Sequence, residues 1–526
     1  MIERMNSGGC GTGHAGAMCI IPYNRSRRDC TPWRQGMAKN HQKWPPAFLF
    51  CSESISRKDI PRMGDAANSV LDDCHRVAIR RRMAPIALRA WLERRMAGNG
   101  MLRILRITPH FYRPGNWPIA FDPVGGLQNQ TWTIAQAMDK AGATQTVLTS
   151  YIPGSPRHVR ISATMRVTCT GFRLPEFLAG PMLCFSWFLG AIPELLRARH
   201  RYDLVHIHFN HSVWCRIIAV IVGRLKIPLV VSMNTPLWSG LQSALGLKGK
   251  SYDVTRWLER LALRSADRVV VLTDTYGRSA ASELGLDASR IEVIPDAVDV
   301  EAFRRPIAAG LLRAFRREHG IPDDRTILSF IGRISGEKGW QDLPVLVERL
   351  SGENVFLLIC GDGPDRHKLE AALAAVSRPG WWAITGFVSP AEVKKALKIS
   401  DVMILPSRRE VFGSVLLEAM AAEVSVVAYA VGGVSDVAGR PEALALVPEG
   451  RREALADRTL RLLADSEERN TLIARGRRRV RDFSLDSAVA LNLALYASVL
   501  AGSVNGSRQP AGVLTLQEDG GSPDGA

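Results

Sequence analysis

From residue 101 onward, short apolar runs alternate with helix-forming stretches, and this alternation limits the fold more than any other feature of the sequence. The first series of predicted strands covers 103–108, 145–151, 203–209, 228–233, 268–273 and 291–295. After a polar bridge at 296–304, a second series covers 326–332, 354–360, 381–385, 402–406 and 424–429. Strands that alternate with helices are typical of a doubly wound parallel sheet. The sequence therefore predicts an α/β protein with two Rossmann-like domains and a ligand cleft between them.

The length and the predicted helices set the domain boundaries. A single core stops growing near ~250–300 residues, and the chain has 526. Helices are expected at 127–141, 340–350, 365–376, 390–398 and 486–500. The predicted units are a first domain at 101–298, a second domain at 299–485, a C-terminal helix at 486–502 and a tail at 503–526. The tail is rich in Gly, Ser, Pro and Asp and is expected to be disordered.

Two carboxylates, Glu410 and Glu418, follow the apolar run 402–406. In a parallel sheet, Glu410 would lie at the carboxyl edge, where open α/β sheets bind ligands. Glu418 lies among good helix formers and is flanked by apolar residues. Two solvated acids on a helix face are the alternative, but an acid in an apolar setting is usually paired or binds a ligand. A binding role for this pair is therefore favoured.

The residues between these acids are predicted to open the helix. Phe412, Gly413 and Ser414 come directly before the helix-forming run. The first N–H groups of a helix have no partner within it, and the helix dipole favours negative charge there. We therefore expect an anion to bind at this helix start.

A basic pair, Arg333 and Lys338, lies in the loop GRISGEKG at 332–339, after the first strand of the second series. Two cations on such a loop can converge on a pyrophosphate, with Arg as a bidentate donor and Lys as a point charge. Basic loop residues are usually only solvated. Their position at the carboxyl end of a strand nevertheless favours a phosphate site.

Two glycine pairs follow predicted strands. Gly361 and Gly363 lack the third glycine of a dinucleotide motif, so a tight turn beside a nucleotide base is favoured. Gly125 and Gly126 precede the helix at 127–141 and permit close approach of a phosphate or sugar, although a simple loop is equally compatible with them. The segment after the first strand lacks GxGxxG, which counts against a dehydrogenase.

His206 and His208 lie on one face of the predicted strand 203–209. Three interpretations compete: packed core histidines, a metal pair with His211, or a hydrogen-bonding group in a sugar site. Lone strand histidines are mostly structural. No carboxylate cluster follows them to complete a metal site.

In this order, the motifs resemble the retaining GT-B glycosyltransferases of family 4, also called group 1. The resemblance spans roughly 101–500 and includes RIEVIPDAVDVEAF at 290–303 and GFVSPAEV at 386–393. It implies the GT-B fold, in which the closing helix crosses back to the first domain. Asn234 stands where the family frequently has histidine, which leaves the acceptor side open. Glu423 stands where glycine is frequent, so the turn there is expected to differ.

The resemblance also implies the roles of the site residues. Glu410 would hold the donor-sugar hydroxyls and Glu418 the ribose, and the basic pair would neutralise the leaving diphosphate. No metal and no other cofactor is expected. Glu410 and His208 are the residues implied in catalysis, and those implied in donor binding are Arg333, Lys338, Glu418, Gly125, Gly126, Phe412, Gly413, Ser414, Gly361 and Gly363.

The implied activity is that of a retaining, metal-independent hexosyltransferase. It would move a sugar from a nucleotide diphosphate sugar to an acceptor hydroxyl, and the resemblance implies a glycan or lipid-linked saccharide acceptor in surface polysaccharide or glycolipid biosynthesis. The expected location is the cytoplasm, including the inner face of the membrane. The alternatives are a GT-B epimerase or phosphorylase, an inactive binding module, and a basic nucleic-acid-binding protein.

The net charge of +17 suggests anionic partners, but it is unevenly distributed. Residues 1–100 contain 17 Lys/Arg and 8 Asp/Glu, so about half of the excess lies in a fifth of the chain. Binding of nucleic acid needs a basic stripe with stacking aromatics, and this distribution counts against it. Residues 1–100 show no sustained periodicity and are expected to be a basic, disordered extension, with Met101 as the candidate true start.

Cysteine usage and one apolar stretch bear on the location. The nine cysteines include no CxxC pair, which indicates neither a zinc site nor a disulfide framework and fits a reducing compartment. Residues 177–193 are uncharged and mostly apolar, but a bilayer span needs roughly 20 such residues, and two prolines interrupt this run. A buried core helix is favoured there over an exposed helix that touches lipid.

Overall fold

The computed structural model describes most of the chain from residue 102 to residue 504. The described ranges are 102–109, 111, 126–151, 156–172, 176–209, 213–234, 250–350, 352–377 and 380–504. They belong to one unit, Arg62–Ala526. The predictions for 1–100, Gly125, His211 and the tail beyond 504 concern residues outside these ranges.

The first domain is built on an eight-stranded sheet. Its strands are β1 (Arg103–Ile107), β2 (Thr144–Ser150), β3 (His158–Arg160), β4 (Met165–Thr170), β5 (Leu204–Phe209), β6 (Leu229–Met233), β7 (Arg268–Val271) and β8 (Ile291–Val293). Their order is β3-β4-β2-β1-β5-β6-β7-β8. Only β3 runs antiparallel to its neighbour in this sheet. Strands β5 and β6 are buried along their whole length, and β1 and β2 at every residue after the first, because helices cover both faces.

The helices of the first domain connect these strands in chain order. They are α1 (Gly126–Lys140), α2 (Glu176–Arg201), α3 (Val213–Arg224), α4 (Lys250–Ser265) and α5 (Asp274–Leu284), with a 3-10 turn at Ala288–Arg290. The apolar stretch 177–193 lies within α2, which buries Trp187, Ala191 and Leu195 against the sheet. The favoured interpretation of a core helix is therefore confirmed for its described side chains.

The second domain is built on a six-stranded, wholly parallel sheet. Its strands are β9 (Thr326–Ile331), β10 (Val355–Cys360), β11 (Trp382–Ile384), β12 (Val402–Leu405), β13 (Ser425–Tyr429) and β14 (Ala445–Val447). Their order is β11-β10-β9-β12-β13-β14. With two mainly parallel sheets and helices between most successive strands, the predicted α/β fold of two doubly wound domains is confirmed.

Nine helices lie along the second domain in the described chain. They are α6 (Val300–Arg304), α7 (Ala309–Glu318), α8 (Leu343–Arg349), α9 (Arg366–Val376), α10 (Pro390–Lys398), α11 (Ser414–Ala422), α12 (Val434–Ala438), α13 (Arg452–Ala464) and α14 (Ser466–Arg479). Three 3-10 turns cover Gly336–Lys338, Trp340–Asp342 and Val480–Phe483. Helix α11 ends at Glu423, whose φ is +66°. Glu423 adopts the left-handed conformation that glycine favours at this position, and the expected difference from the family's turn stays a prediction.

The last helix, α15 (Leu485–Val504), returns to the first domain. Its residues Val489, Leu493 and Tyr496 share a buried cluster with Ile104 of β1 and Met138 of α1. The window Leu485–Gly502 is long and apolar enough to span a membrane, but 56% of it is buried, as in a core helix. It is the one helix in the described ranges that meets this criterion of length and composition.

The chain thus crosses between the domains twice, once near Val298 and once near Ser484. The two crossings pair with each other, because the Val298 N–H donates to the Phe483 carbonyl at 3.0 Å. In each sheet the strand order reverses beside the first strand of its series, β1 or β9. A crevice forms at the carboxyl ends of the strands at such a reversal, and open α/β sheets bind ligands there.

Candidate active site

The start of α11 lies at the carboxyl edge of the second sheet. Gly413 precedes the helix with a φ of +84°, a conformation that favours glycine. Phe412 is buried and its ring meets that of Phe483 edge-on at 5.7 Å. The first residue of the helix is Ser414, so the free N–H groups of α11 begin at the predicted position.

Glu410 and Lys338 form an ion pair at the same edge. The Lys338 Nζ lies 2.6 Å from Glu410 Oε1, and the Ser407 hydroxyl donates to the same oxygen at 3.0 Å. The Glu410 side chain is 8% exposed and that of Lys338 27%. Two residues that are 72 positions apart in sequence therefore meet at one point, and the lysine remains within reach of solvent.

Close contact between two loops produces this pairing. Gly339 follows Lys338 with a φ of +72°, and a Cβ atom there would collide with the carbonyl oxygen of Pro406. Only glycine therefore lets the Lys338 loop lie directly against the end of β12. The sequence did not reveal this role of Gly339, although the residue lies within the predicted phosphate loop at 332–339.

A buried carboxylate fixes the segment that carries Glu410. Asp342 is 1% exposed and accepts a hydrogen bond from Arg408 at 2.7 Å and from the Tyr429 hydroxyl at 2.8 Å. Arg452 pairs with the same carboxylate at 2.7 Å. Three donors satisfy this buried acid, as burial of a charge requires. The backbone beside Glu410 is thereby held from both sides of the loop.

Arg333 lies exposed on the loop after β9. No carboxylate of the described chain forms an ion pair with its guanidinium, in contrast to Lys338. Gly361 and Gly363 lie beneath this loop, and a Cβ atom at either position would collide with the carbonyl of Gly332 or Ile334. The two glycines therefore allow close packing of the β9 and β10 loops, which accords with the favoured tight turn.

Glu418 lies within α11 and is partly buried. Burial raises the pKa of its carboxyl to about 7. Neither an ion pair nor a hydrogen bond joins this carboxyl to any side chain of the described chain. Of the two states expected for an acid in an apolar setting, paired or bound to a ligand, the described chain does not supply the pairing, and the carboxyl oxygens are available to a ligand.

The first domain meets the start of α11 through Gly126. A Cβ atom on Gly126 would lie 3.6 Å from the Ser414 hydroxyl oxygen, so the two domains are in van der Waals range there. The Ser414 hydroxyl donates to Asp296 at 2.6 Å. Burial raises the pKa of Asp296 to about 6, and the bond from Ser414 opposes this rise. Asp296 was missed by the sequence reasoning, which read its segment as a polar bridge.

His206 and His208 lie on β5 with their rings stacked at 4.3 Å. Both are buried, and His208 is 5% exposed at the carboxyl end of the strand. Arg106 of β1 donates to His208 Nε2 at 3.2 Å. The structure therefore supports packed, buried histidines; a role for His208 in a sugar site stays a prediction, and the proposed metal partner, His211, lies outside the described residues.

A metal site would need several ligands in one place. Within the described ranges, no group of three or more His, Cys, Asp or Glu side chains is placed to hold a metal ion. The carboxyl edge of the second sheet instead carries the Lys338–Glu410 pair, the start of α11 and, on the loop after β9, Arg333. Such a set can bind an anion together with several hydroxyl groups.

Two family models match the chain. The family described as Glycosyltransferase Family 4 matches residues 124–302, and the family described as Glycosyl transferases group 1 matches residues 313–479. The first match lies in the first domain and the second match in the second. Both domains of the fold are therefore represented.

Several curated relatives match over three quarters or more of their length. The 2-deoxystreptamine N-acetyl-D-glucosaminyltransferase of Streptomyces fradiae is 31% identical over 388 residues, which cover 71% of this chain and 91% of the relative. The 2-deoxystreptamine glucosyltransferase of Streptomyces kanamyceticus is 31% identical over 387 residues, which cover 71% and 99%. A D-inositol 3-phosphate glycosyltransferase of Salinispora arenicola is 30% identical and covers 62% and 75%.

Solved structures match the fold. Sucrose-phosphate synthase from Thermosynechococcus elongatus superimposes with a TM-score of 0.63 at 21% identity, covering 76% of this chain and 100% of that chain. HepE of Anabaena, solved in complex with UDP-glucose, superimposes with a TM-score of 0.57 at 17% identity, covering 76% and 99%. At these identities the likeness shows the fold alone.

Proposed function

The chain belongs to the group 1 glycosyltransferases and transfers a sugar, and we propose that its donor is a nucleotide diphosphate sugar and that transfer proceeds with retention. The observation that carries this proposal is the convergence of Lys338, Arg333 and the start of α11 at one edge of the second sheet. Retention rests on the family resemblance.

The diphosphate is the part of the donor that this edge suits best. When the sugar leaves, negative charge grows on the diphosphate, and fixed positive groups stabilise that charge. Arg333 is exposed and unpaired within the described chain, and Lys338 is bound to one carboxylate oxygen. The free N–H groups of α11 add a partial positive charge. These three groups would take the place that a metal ion has in other enzymes, by stabilising the negative charge of the leaving diphosphate.

The two acids have different surroundings, which supports different roles. Glu410 is held by Lys338 and Ser407, so its second oxygen is the one that can accept from a sugar hydroxyl. Glu418 has a raised pKa and no partner in the described protein, which suits a pair of ribose hydroxyls. His208 would complete the donor site from the first domain. Closure of the cleft would exclude water and so favour transfer over hydrolysis.

For the acceptor, we propose a hydroxyl of a cyclitol. Three of the curated relatives are named for 2-deoxystreptamine and others for D-inositol 3-phosphate. Both compounds are six-membered carbocycles that bear several hydroxyl groups. The glycan or lipid-linked acceptor expected from the resemblance, and the associated contact with a membrane, stay predictions.

A transfer assay tests the proposal. The full chain is incubated with UDP-, GDP- and dTDP-sugars, each with 2-deoxystreptamine, inositol 3-phosphate or a lipid-linked saccharide. Mass spectrometry detects the added sugar, and NMR of the product identifies its anomeric configuration. We expect one of the nucleotide sugars to glycosylate a cyclitol, and we expect the transferred sugar to keep the anomeric configuration that it had in the donor.

The assay separates the competing activities. A product of inverted configuration would contradict retention, and transfer only to the lipid-linked saccharide would contradict the cyclitol acceptor. A phosphorylase would give sugar phosphate when inorganic phosphate replaces the acceptor. Glu410→Gln should abolish the product, whereas Glu301→Gln, a change in an exposed acid on α6, should leave it unchanged.

A further inference from the structure

A buried arginine lies in the middle of β1. Arg106 is 0% exposed, and its Nε donates to Gln145 Oε1 at 2.6 Å. One terminal nitrogen donates to the Tyr496 hydroxyl of α15 at 3.3 Å. The other lies 3.4 Å from His206 Nδ1 and 3.2 Å from His208 Nε2. All four partners of this guanidinium are neutral groups.

The absence of an acid makes this arrangement unusual. Within the described chain, no carboxylate forms an ion pair with Arg106. A buried charge without an opposite charge is costly, and an apolar side chain in its place is often neutral or stabilising. A purely structural role would be served by such a residue. Arg106 therefore points to a function that needs its charge or its donors.

The donors of Arg106 dictate where the histidine protons lie. A guanidinium has five N–H donors and no acceptor. His208 Nε2 must therefore accept, and a neutral His208 carries its proton on Nδ1. The same reasoning applies to His206, whose Nδ1 faces Arg106 and the Tyr496 hydroxyl, so its Nε2–H donates to Ser232 Oγ at 2.7 Å. Each ring is thus restricted to one tautomer.

The surroundings also keep both rings uncharged. Burial, followed by the positive charge of Arg106, lowers the pKa of His208 to about 3. Burial lowers the pKa of His206 well below its usual value as well, with further contributions from His208 and Arg106. The groups that face the pair are Arg106 from β1, Tyr496 from α15, and Asn234 at the end of β6, whose amide weakly opposes the shift of His208.

We propose that Arg106 is a positioning residue that holds His208 as the neutral Nδ1–H tautomer at the carboxyl edge of the first sheet. In this state His208 donates one defined hydrogen bond on the side of the ring away from Arg106. The consequence for sugar transfer rests on the function proposed above, in which His208 faces the donor. The protonation state itself does not depend on that function.

The first test measures the protonation state directly. The full chain is labelled with ¹⁵N-histidine, and the His208 signals are assigned by their loss in His208→Gln. Between pH 5 and 8 we expect a neutral ring with its proton on Nδ1. A proton on Nε2, or a titration near the ordinary pKa of about 6.5, would overturn the proposal without any reference to activity.

Substitutions then test the cause. Arg106→Met should raise the pKa of His208 by about one unit or more, because a like charge within hydrogen-bond range is removed. Arg106→Lys keeps the charge and a donor and should leave His208 neutral. Arg103→Met, in the exposed arginine three positions earlier on β1, is the matched control and should change nothing. If the pKa of His208 is the same in Arg106→Met as in the wild type, the proposal is contradicted. If Arg106→Met does not fold, the proposal is judged by two other measurements: the charge state of His208 in Arg106→Lys and the His208 tautomer in the wild type.

The final readout is the pH profile of transfer. With the pKa of His208 raised from about 3 to about 4, half of the rings in Arg106→Met carry a second proton at pH 4, so kcat/KM relative to wild type should be about twofold lower at pH 4 than at pH 8. A loss equal at both pH values would show that Arg106 acts through stability alone. If no sugar transfer is found, the proposed function fails while the NMR result still decides the role of Arg106.

Discussion

The two domains differ in the burial of the groups that we propose for the donor site. The second domain offers charges that solvent reaches, since Arg333 is exposed and the Lys338 side chain is 27% exposed. The first domain offers Arg106 and the histidine pair, none of which is more than 5% exposed. Exposed charges can meet a charged ligand directly. Buried groups act through fixed orientation, so their removal should affect stability as well as activity.

The largest effect on activity is expected from Lys338→Met. Removal of one positioned group that meets developing negative charge typically costs about 10²–10³-fold in kcat. The removal also leaves the buried Glu410 carboxylate with only the Ser407 hydroxyl, so we expect the free energy of unfolding to fall by about 1–3 kcal/mol. Transfer kinetics and chemical unfolding measure the two effects, with Lys368→Met, in an exposed pair with Asp365, as the control. A large loss of stability in Lys338→Met with a near-normal kcat would contradict the idea that the second domain supplies charges that act directly on the ligand.

Glu418→Gln should change the pH dependence of stability. Burial raises the pKa of this carboxyl from 4.5 to about 7, so between these values the unfolded chain releases a proton that the folded chain retains. The free energy of unfolding of the wild type therefore falls as pH rises through this window, by about 1–3 kcal/mol. The Gln variant should lack this fall in urea titrations at pH 5 and 8. If the free energy of unfolding changes equally between pH 5 and pH 8 in both proteins, the raised pKa of Glu418 is contradicted.

Tyr496→Phe tests the buried side of the comparison. The hydroxyl contacts His206 at 2.7 Å and Arg106 at 3.3 Å, and its loss should lower the free energy of unfolding by about 1–2 kcal/mol. Kinetics should change less than in Lys338→Met, because the hydroxyl does not contact His208. Unchanged stability would indicate that α15 is held by its apolar contacts alone.

Arg333→Met should have the smallest effect, and one that depends on salt. Its guanidinium is exposed, so its attraction for a diphosphate is screened, and the Debye length falls from about 10 Å at 0.1 M to 3 Å at 1 M salt. We expect the donor KM to rise about three- to tenfold at low salt, with a smaller ratio at 0.5 M. A ratio that is independent of salt would indicate that Arg333 contacts the ligand in a buried position.

The sequence predicted the parts that depend on local pattern. The β1 and β9 series, the start of α11 and the basic loop at 332–339 were all predicted from short segments, because apolar periodicity and loop composition determine them. The role of Asp342 depends on Arg408 and Tyr429, residues 66 and 87 positions away, and no local pattern reveals such partners.

One missed residue did leave a signal. Arg106 stands inside the apolar run RILRIT, where a buried strand would ordinarily carry an apolar side chain. A charge at that position indicates a buried polar partner, but its partner Tyr496 is 390 positions away in the sequence. The strands β3, β4 and β14 were also missed, although β8 and β11, which are as short as β3 and β14, were predicted, so length alone does not explain the omission.

The paired crossings at Val298 and Ser484 have a mechanical consequence. Two covalent tethers, joined side by side by a backbone hydrogen bond, form a candidate hinge, and we expect the lobes to rotate about this pair of crossings more readily than they slide past each other. Opening and shutting of the crevice would then follow a swinging motion. Groups carried by opposite lobes, such as Gly126 and Ser414, would come back into the same alignment after every cycle.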